Sequence, residues 1–176
     1  IETVVGEGTQ FHIRIPPNVS VNGALLVAAG DRSYAIPLDG LIAVDNVDVD
    51  VFFNAVAEKS SLSLYGMECE PAYLATLCQG KSLPEQATWN NTVPVMIAGS
   101  EDRYMAIAVD DVKQALELVI RSLGVQFSNV AGVAGATTTV DGQAVVALDL
   151  NALVGSVEIG QYSNVSVAPE LEENLL

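Results

Sequence analysis

The chain has 176 residues, of which 50% are apolar, and its 7 basic against 22 acidic residues give a formal net charge of −15. This length fits one domain or two small linked ones, with a core that needs no disulfides. The acidic excess argues against nucleic acid and anionic lipid as direct partners, since both reward clustered Lys and Arg. No apolar run approaches the ~20 residues of a membrane-spanning helix, so we expect no direct membrane insertion.

The N-terminal part predicts antiparallel strands. The stretch "TQFHIRIP" alternates over residues 9–15, and Pro16-Pro17 ends this strand because proline cannot donate to a sheet ladder. Two further strands follow at residues 23–29 and 33–38, and Gly30-Asp31 suits the hairpin turn between them.

Residues 40–47, "GLIAVDNV", continue as a strand, and the apolar period then becomes helical over residues 48–60. Asp48 or Asp50 could cap this helix by accepting a hydrogen bond from a first-turn N–H. The run "DNVDVD" at 45–50 lacks the glycine and the terminal glutamate of a calcium loop, so helix capping is the better interpretation.

Strand character returns over residues 61–69. The segment "EPAYLATLC" at 70–78 then predicts a short helix with Pro71 at its first position, where the missing N–H costs nothing. A polar stretch at 79–92, which contains the sole tryptophan, Trp89, is a candidate boundary between two halves.

The second half predicts strands at 93–98 and 104–110, followed by a strand or short helix at 113–123. Asp141-Gly142 indicates a hairpin with a type I′ turn, which needs positive φ at both central residues. From residue 156 onward the pattern fades into an acidic linker or tail.

A near-repeat links the halves: "DRSYAIPLD" at 31–39 is similar to "DRYMAIAVD" at 102–110. Each copy follows an apolar run and places its larger apolar residues two apart, as on one face of a strand. We therefore predict an all-β fold with short helices, built as two similar barrel lobes that leave few exposed sheet edges. The lobes would cover roughly 17–80 and 92–155, and they could be intertwined.

No catalytic, metal or cofactor site is predicted. His12 is the sole histidine and has no nearby partners for a triad, and Cys69 and Cys78 lack metal-ligand spacing. The glycine-containing stretches at 6–11 and 132–137 lead into strands rather than helices, so neither offers a phosphate-binding helix terminus.

Four segments carry longer motifs. They are "GEGTQFHIRIP" at 6–16, "ALLVAAGDRSYAIPLDGLIAV" at 24–44, "VDDVKQALELVIRSLG" at 109–124 and "GVAGATTTVDGQAVVALDL" at 132–150. The first resembles the last strand of the ATP-binding domain of CheA-type chemotaxis histidine kinases. The other three resemble, in order, the CheW-like regulatory domain of those kinases.

A fifth segment, "LYGMECEPAYLATLCQG" at 64–80, is most similar to the hybrid kinases of the chemotaxis-like system that controls type IV pili. The matching residues are Tyr65, Gly66, Tyr73, Leu74, Leu77 and Gly80. Free-standing CheW adaptors often carry an arginine, implicated in receptor contact, at the position of Tyr65.

The resemblance implies two five-stranded barrels and a division of the chain into three parts. Residues 1–16 would end the preceding kinase domain, 17–155 would form the CheW-like domain, and 156–176 would lead to a following module. The start at Ile1 rather than Met agrees with a piece of a longer protein.

The implied function is non-catalytic coupling in two-component signal transduction. The domain would bind a CheW-type adaptor and the cytoplasmic tip of a chemoreceptor, and so control the kinase. It would also contact the remaining domains of the parent kinase. Its place would be cytoplasmic, in receptor arrays at the inner face of the membrane.

Six residues are candidates for protein binding: Leu41, Ile42, Val44, Tyr65, Met67 and Arg121. The alternative for the apolar residues is ordinary core packing. The alternative for Arg121 is an ion pair with Glu117, which requires a helical stretch.

Two other functions remain open at the level of sequence. A free-standing CheW-type adaptor is one, although the kinase-like strand at 6–16 argues against it. A small-ligand-binding β-barrel is the other, and it would need an open lumen lined by polar groups.

Overall fold

The structure is a computed structural model that describes residues 2–4, 8–10, 19–100, 103–121, 123 and 132–157. Within these residues strands dominate, and short helices connect some of them. The longest helix has 10 residues, and none of the described helices is long and apolar enough to cross a membrane. The predicted all-β class with short helices is confirmed.

The described residues form twelve strands. In chain order these are β1 (Glu2–Val4), β2 (Gly8–Gln10), β3 (Val19–Ala29), β4 (Arg32–Pro37), β5 (Ala43–Asp48), β6 (Leu62–Leu64), β7 (Met67–Tyr73), β8 (Thr92–Ser100), β9 (Arg103–Ala108), β10 (Asp111–Arg121), β11 (Val133–Thr138) and β12 (Ala144–Leu148). The helices are α1 (Val49–Glu58), α2 (Leu74–Gln79) and α3 (Leu150–Ser156), with short 3-10 helices at Leu38–Gly40 and Gln86–Thr88. The predicted strand beyond Gln10, His12 and the predicted tail from residue 158 onward lie outside the described residues.

Ten of the strands form two sheets, and the two sheets have the same strand order. Strands β10, β11, β12, β4 and β3 make a closed barrel, which we call the closed lobe. Strands β5, β8, β9, β7 and β6 make a five-stranded sheet without a pair between β5 and β6, which we call the open lobe. Each lobe contains an antiparallel hairpin whose second strand also pairs in parallel with a strand from elsewhere in the chain. The two similar five-stranded lobes are therefore as predicted.

The near-repeat occupies equivalent places in the two lobes. Strand β4 is the second strand of the β3–β4 hairpin and pairs in parallel with β12. Strand β9 is the second strand of the β8–β9 hairpin and pairs in parallel with β7. A single five-stranded unit has thus been used twice.

The two lobes exchange their hairpins. Along the chain, β3–β7 with α1 and α2 form one run of five strands, and β8–β12 with α3 form a second. The hairpin of the first run pairs with β10 and β12 of the second, while the hairpin of the second pairs with β5 and β7 of the first. The predicted lobe ranges 17–80 and 92–155 therefore do not coincide with the sheets, because strand pairing crosses between the runs.

Apolar side chains fill both the closed lobe and the seam between the lobes. Inside the closed lobe the buried cluster is Ala24, Leu26, Ala35, Leu118, Val145 and Ala147. On β3 and β4 the alternate residues Val27, Tyr34 and Ile36 belong instead to a larger cluster shared with the open lobe and α3. The hairpin thus buries both of its faces, which joins the lobes into one core.

The helix predicted at residues 70–78 begins later than expected. Pro71 lies inside β7, opposite Ala106 of β9, and helix α2 starts at Leu74. Strand β6 pairs with β7 only over residues 67–69, so the other side of Pro71 has no ladder to interrupt. The assignment of Pro71 to a helix start was therefore wrong.

The hairpin predicted at Asp141-Gly142 is confirmed, but its type I′ turn is not. Gly142 has φ +81°, whereas Asp141 does not have a positive φ. The Gly142 N–H donates to the Thr139 carbonyl at 2.9 Å, and the Gln143 N–H donates to Thr139 Oγ1 at 3.2 Å. Since the threonine side chain helps to close a longer loop, only one residue needs the left-handed region.

Of the two predicted caps, Asp48 caps helix α1. Its Oδ1 accepts hydrogen bonds from the N–H groups of Asp50 and Val51, at 2.9 and 3.3 Å. Of the segment 113–123, for which strand and helix were both possible, residues 113–121 form most of strand β10.

Candidate docking surface

The open lobe exposes apolar side chains along the edge formed by β5 and the β6–β7 turn. Within the described residues β5 pairs only with β8, and β6 only with β7. Ile42, Val44 and Tyr65 are exposed along this edge, and we call them the edge patch. A strand edge with apolar neighbours is a common place for a second protein to bind.

Tyr65 is held in an unusual backbone conformation. It has φ +52° and the following Gly66 has φ +77°, in a two-residue hairpin turn closed by the pair Leu64 and Met67. A type I′ turn needs such angles at both central residues, and for a non-glycine residue they cost roughly 1–2 kcal/mol. In this turn the large side chain of Tyr65 lies at the tip of the hairpin and is 66% exposed.

The Tyr65 hydroxyl at the tip interacts with the Asp45 carboxylate of β5. Hydrogen bonding to Asp45 and its negative charge raise the pKa of Tyr65. Asp45 is half-buried and follows the exposed Val44 on β5, so these two side chains point to opposite faces of the strand. The gap between β5 and β6 is bridged by side chains rather than by a backbone ladder.

The other predicted residues of this lobe lie beneath the edge patch. Leu41 and Met67 are half-buried and pack against the large core cluster. Five of the six candidate residues thus belong to one region of the open lobe or directly precede its first strand, and three of them face solvent.

Arg121 lies elsewhere. It is the last residue of β10 in the closed lobe, where its backbone is paired with Ala136 and Val19. Glu117 is on the same strand, and residues four apart on a strand are separated by roughly 13 Å. The alternative of a helical ion pair between Glu117 and Arg121 is therefore wrong, since this stretch is extended.

Arg121 borders a cleft of about 550 Å³ where β10 meets β11. Its lining includes Glu117, Val119, Thr137 and Val140. These groups are apolar, hydroxylic or singly charged and do not converge on one point. Among the residues that the structure describes, no three His, Cys, Asp or Glu side chains come together as a metal site.

A polar cluster joins the two lobes at their seam. The Tyr73 hydroxyl of β7 donates to Asp110 Oδ1 at 2.7 Å. Asp110 Oδ2 accepts the N–H of Gly30, at the tip of the β3–β4 hairpin, at 2.7 Å. Burial and the bond to the negatively charged Asp110 raise the pKa of Tyr73. The seam is thus polar at this point and apolar around it.

Sequence reasoning missed this cluster. Tyr73 was placed in a helix, although it is the last residue of strand β7. A usable signal was the near-repeat itself, in which Asp39 and Asp110 end the two copies. Asp39 is exposed in a 3-10 helix, whereas Asp110 contacts both lobes.

Comparison with known proteins gives consistent results for this fold. A family model described as the CheW-like domain matches residues 23–158. The chain is 31% identical over 154 residues to the sensor histidine kinase CheAY of Helicobacter pylori, covering 88% of this chain and 19% of that protein. It is 24% identical over 154 residues to the chemotaxis protein CheA of Bacillus subtilis, covering 88% and 22%. The chain thus spans about a fifth of the length of these curated relatives.

A solved structure shares the architecture. The scaffolding protein TtCheW from Thermoanaerobacter tengcongensis has a TM-score of 0.52 at 13% identity, covering 82% of this chain and 93% of that chain. At this identity the likeness concerns the fold. The family match runs from within β3 to just beyond α3 and so includes both lobes and the exchanged hairpins. The chain belongs to the CheW-like domain family.

Proposed function

We propose that this domain is the non-catalytic coupling domain of a chemotaxis-type sensory histidine kinase. It would dock a CheW-type adaptor and chemoreceptor tips in arrays at the inner face of the membrane, and so control the activity of the kinase domains. The observation that carries the proposal is the edge patch, where Ile42, Val44 and Tyr65 are exposed beside two strands with free edges. The kinase relatives support the choice of parent protein.

The edge patch has the chemistry of a small protein interface. Hot spots are a few apolar or aromatic anchors surrounded by contacts that exclude water. Tyr65 supplies an exposed aromatic side chain, and Ile42 and Val44 supply exposed aliphatic side chains just before and within β5. A strained residue at an exposed turn supports a binding role, because strain without a function would be lost through substitution by glycine or asparagine.

We place the parent kinase in the group that controls type IV pili. The support is the segment 64–80, whose matching residues have distinct structural positions. Tyr65 and Gly66 form the hairpin tip, and Gly80 ends helix α2 with φ +67°. Tyr73 bridges the seam through its hydroxyl.

The test is binding of the purified domain to the CheW-type adaptor of the same organism, measured by calorimetry. Val44→Ser removes an anchor from the edge patch, and Val140→Ser makes the same change at a closed-lobe position that is 90% exposed. We expect Val44→Ser to weaken binding about tenfold, as for a loss of 1–2 kcal/mol at a hot spot. Val140→Ser should stay within about twofold.

Two results would count against the proposal. If the unaltered domain shows no association at tens of micromolar adaptor, the coupling role fails. If both variants bind like the unaltered domain, the edge patch is not the docking surface. Because both valines are exposed, circular dichroism should show equal folding of the two variants.

A free-standing CheW-type adaptor is the second candidate. The observation that favours it is the match to the scaffolding protein TtCheW over 93% of that chain. An antibody against this domain separates the two functions in cell extracts. A band near 18.5 kDa would support the adaptor, and a band several times larger would support the kinase.

A further inference from the structure

We infer that the partner that covers the edge patch carries lysine or arginine side chains around an apolar centre. The inference rests on the proposed docking function and adds the charge of the partner's surface. It comes from the exposed edge that runs from the 3-10 helix at 38–40 through β5 into the first turn of α1. Four carboxylates lie along it, and we call them the acidic edge: Asp39, Asp45, Asp48 and Asp50.

The acidic edge and the edge patch share one piece of chain. Asp45 follows Val44 on β5 and interacts with Tyr65, whose pKa it raises. Asp39 lies in the 3-10 helix just before Ile42, and it is exposed. Strand residues rise about 3.3 Å each, so these carboxylates stand within roughly 15 Å of Val44. A protein that covers the apolar residues therefore also approaches the carboxylates.

Within the part of the chain that the structure describes, no cation pairs with this edge. Residues 33–58 contain no lysine or arginine. Lys59 is the next cation, at the far end of α1 and roughly 13 Å from Asp50 along the helix axis. Among the described residues the ion pairs are Arg103–Glu70, Lys81–Asp31 and Arg32–Asp31, so none involves the acidic edge.

Carboxylates that have no ion pair within the domain affect which partners can dock. Covering them with an apolar or acidic surface removes water or brings like charges together, and either costs free energy. Lysine or arginine at the rim of the partner would instead pair with them and speed association. At physiological salt, charges act over about 8 Å, so the carboxylates beside the patch matter more than the net charge of the chain.

The experiment compares two variants that each remove two negative charges. Asp39→Asn with Asp50→Asn changes the acidic edge, and Asp141→Asn with Glu117→Gln changes exposed positions on the closed lobe. None of these four side chains forms part of the edge patch. Association rates with the CheW-type adaptor are measured by surface plasmon resonance between 50 and 300 mM salt.

We expect the acidic-edge variant to associate about threefold to tenfold more slowly at 50 mM salt, with a shallower salt dependence. The closed-lobe variant should stay within about twofold of the unaltered domain. Equal slowing in both variants would assign the effect to net charge and overturn the inference. No slowing in either variant would also overturn it.

The outcome for Val44→Ser separates this inference from the proposed function. If Val44→Ser weakens adaptor binding while the acidic-edge variant does not, docking at the edge patch stands and the basic partner surface is rejected. If the unaltered domain does not bind the adaptor, both are rejected.

Discussion

The closed lobe and the open lobe have the same strand order, but the first and last strands pair with each other only in the closed lobe. In the closed lobe β10 meets β11 through the pair Arg121 and Ala136. The corresponding strands of the open lobe, β5 and β6, are not paired with each other, and Tyr65 of the β6–β7 turn interacts with Asp45 of β5. One copy of the unit thus forms a closed barrel, while in the other β5 and β6 each lack a second partner strand among the described residues.

The two lobes also differ in a connection. In the open lobe, helix α1 lies between β5 and β6 in the chain, and its Phe52 is fully buried.

The exchanged hairpins predict that neither half of the chain folds alone, which is the largest effect expected. Cutting between Pro84 and Glu85 gives fragments 1–84 and 85–176, each with one hairpin whose partner strands are in the other. We expect each fragment to be unfolded at micromolar concentration and an equimolar mixture to fold. Trp89, in the second fragment, packs against Tyr73 and Phe53 of the first, so its fluorescence reports assembly.

A folded monomer from either fragment would contradict the exchange of hairpins, because it would require the hairpin to pair within its own run. A cut within the closed-lobe hairpin tip, between Gly30 and Asp31, is the control. It separates β4 from β3, with which β4 pairs along its whole length.

The elements of this fold were predictable where the signal is local. The strands beside Gly30 and the helix capped by Asp48 follow from alternation, turn residues and capping over a few residues. The hairpin exchange was not predictable, because the parallel pairs β4–β12 and β7–β9 join segments far apart in the chain. The helix start predicted at Pro71 was wrong for a related reason. Proline is common at helix starts, but it is also tolerated in a strand where the neighbouring strand has ended.

The predicted binding residues of the open lobe form two groups, one exposed and one half-buried. Ile42, Val44 and Tyr65 are exposed, whereas Leu41 and Met67 are half-buried, because sequence alternation does not say which apolar residues cover a strand edge. Tyr65 differs from an ordinary turn residue only in being bulky at a glycine-like position, a signal available from the Tyr-Gly pair between two strands. Whether these residues bind a partner remains for the adaptor experiment.

Gly135→Ala should break the closure that distinguishes the closed lobe. A Cβ at Gly135 would lie 2.5 Å from the carbonyl oxygen of Arg121, where β10 meets β11. We expect a loss of about 1–3 kcal/mol in the free energy of unfolding, because backbone atoms must move to relieve the clash. Hydrogen exchange should show the loss of protection centred on β11. Gly155→Ala is the matched control, since its Cβ meets nothing within 4 Å. Equal stability of both variants would show that β10 and β11 are not closely joined.

Tyr73→Phe should give the smallest effect and tests how firmly the seam holds the two lobes together. Loss of the hydroxyl leaves Asp110 with one donor fewer, and we expect a cost of about 1 kcal/mol in urea unfolding. Tyr65→Phe makes the same change at an exposed bond and should cost less. The effect of Tyr73→Phe should also depend on pH. The pKa of Tyr73 is raised in the folded protein, so the contribution of its hydroxyl to the free energy of unfolding is complete below the unfolded tyrosine pKa of about 10. As the pH rises above that value, Tyr73 of the unfolded chain loses its proton first and this contribution declines. The stability gap between the unaltered protein and Tyr73→Phe should therefore narrow above about pH 10. A gap that stays constant would mean that the hydroxyl bond to Asp110 does not hold the seam.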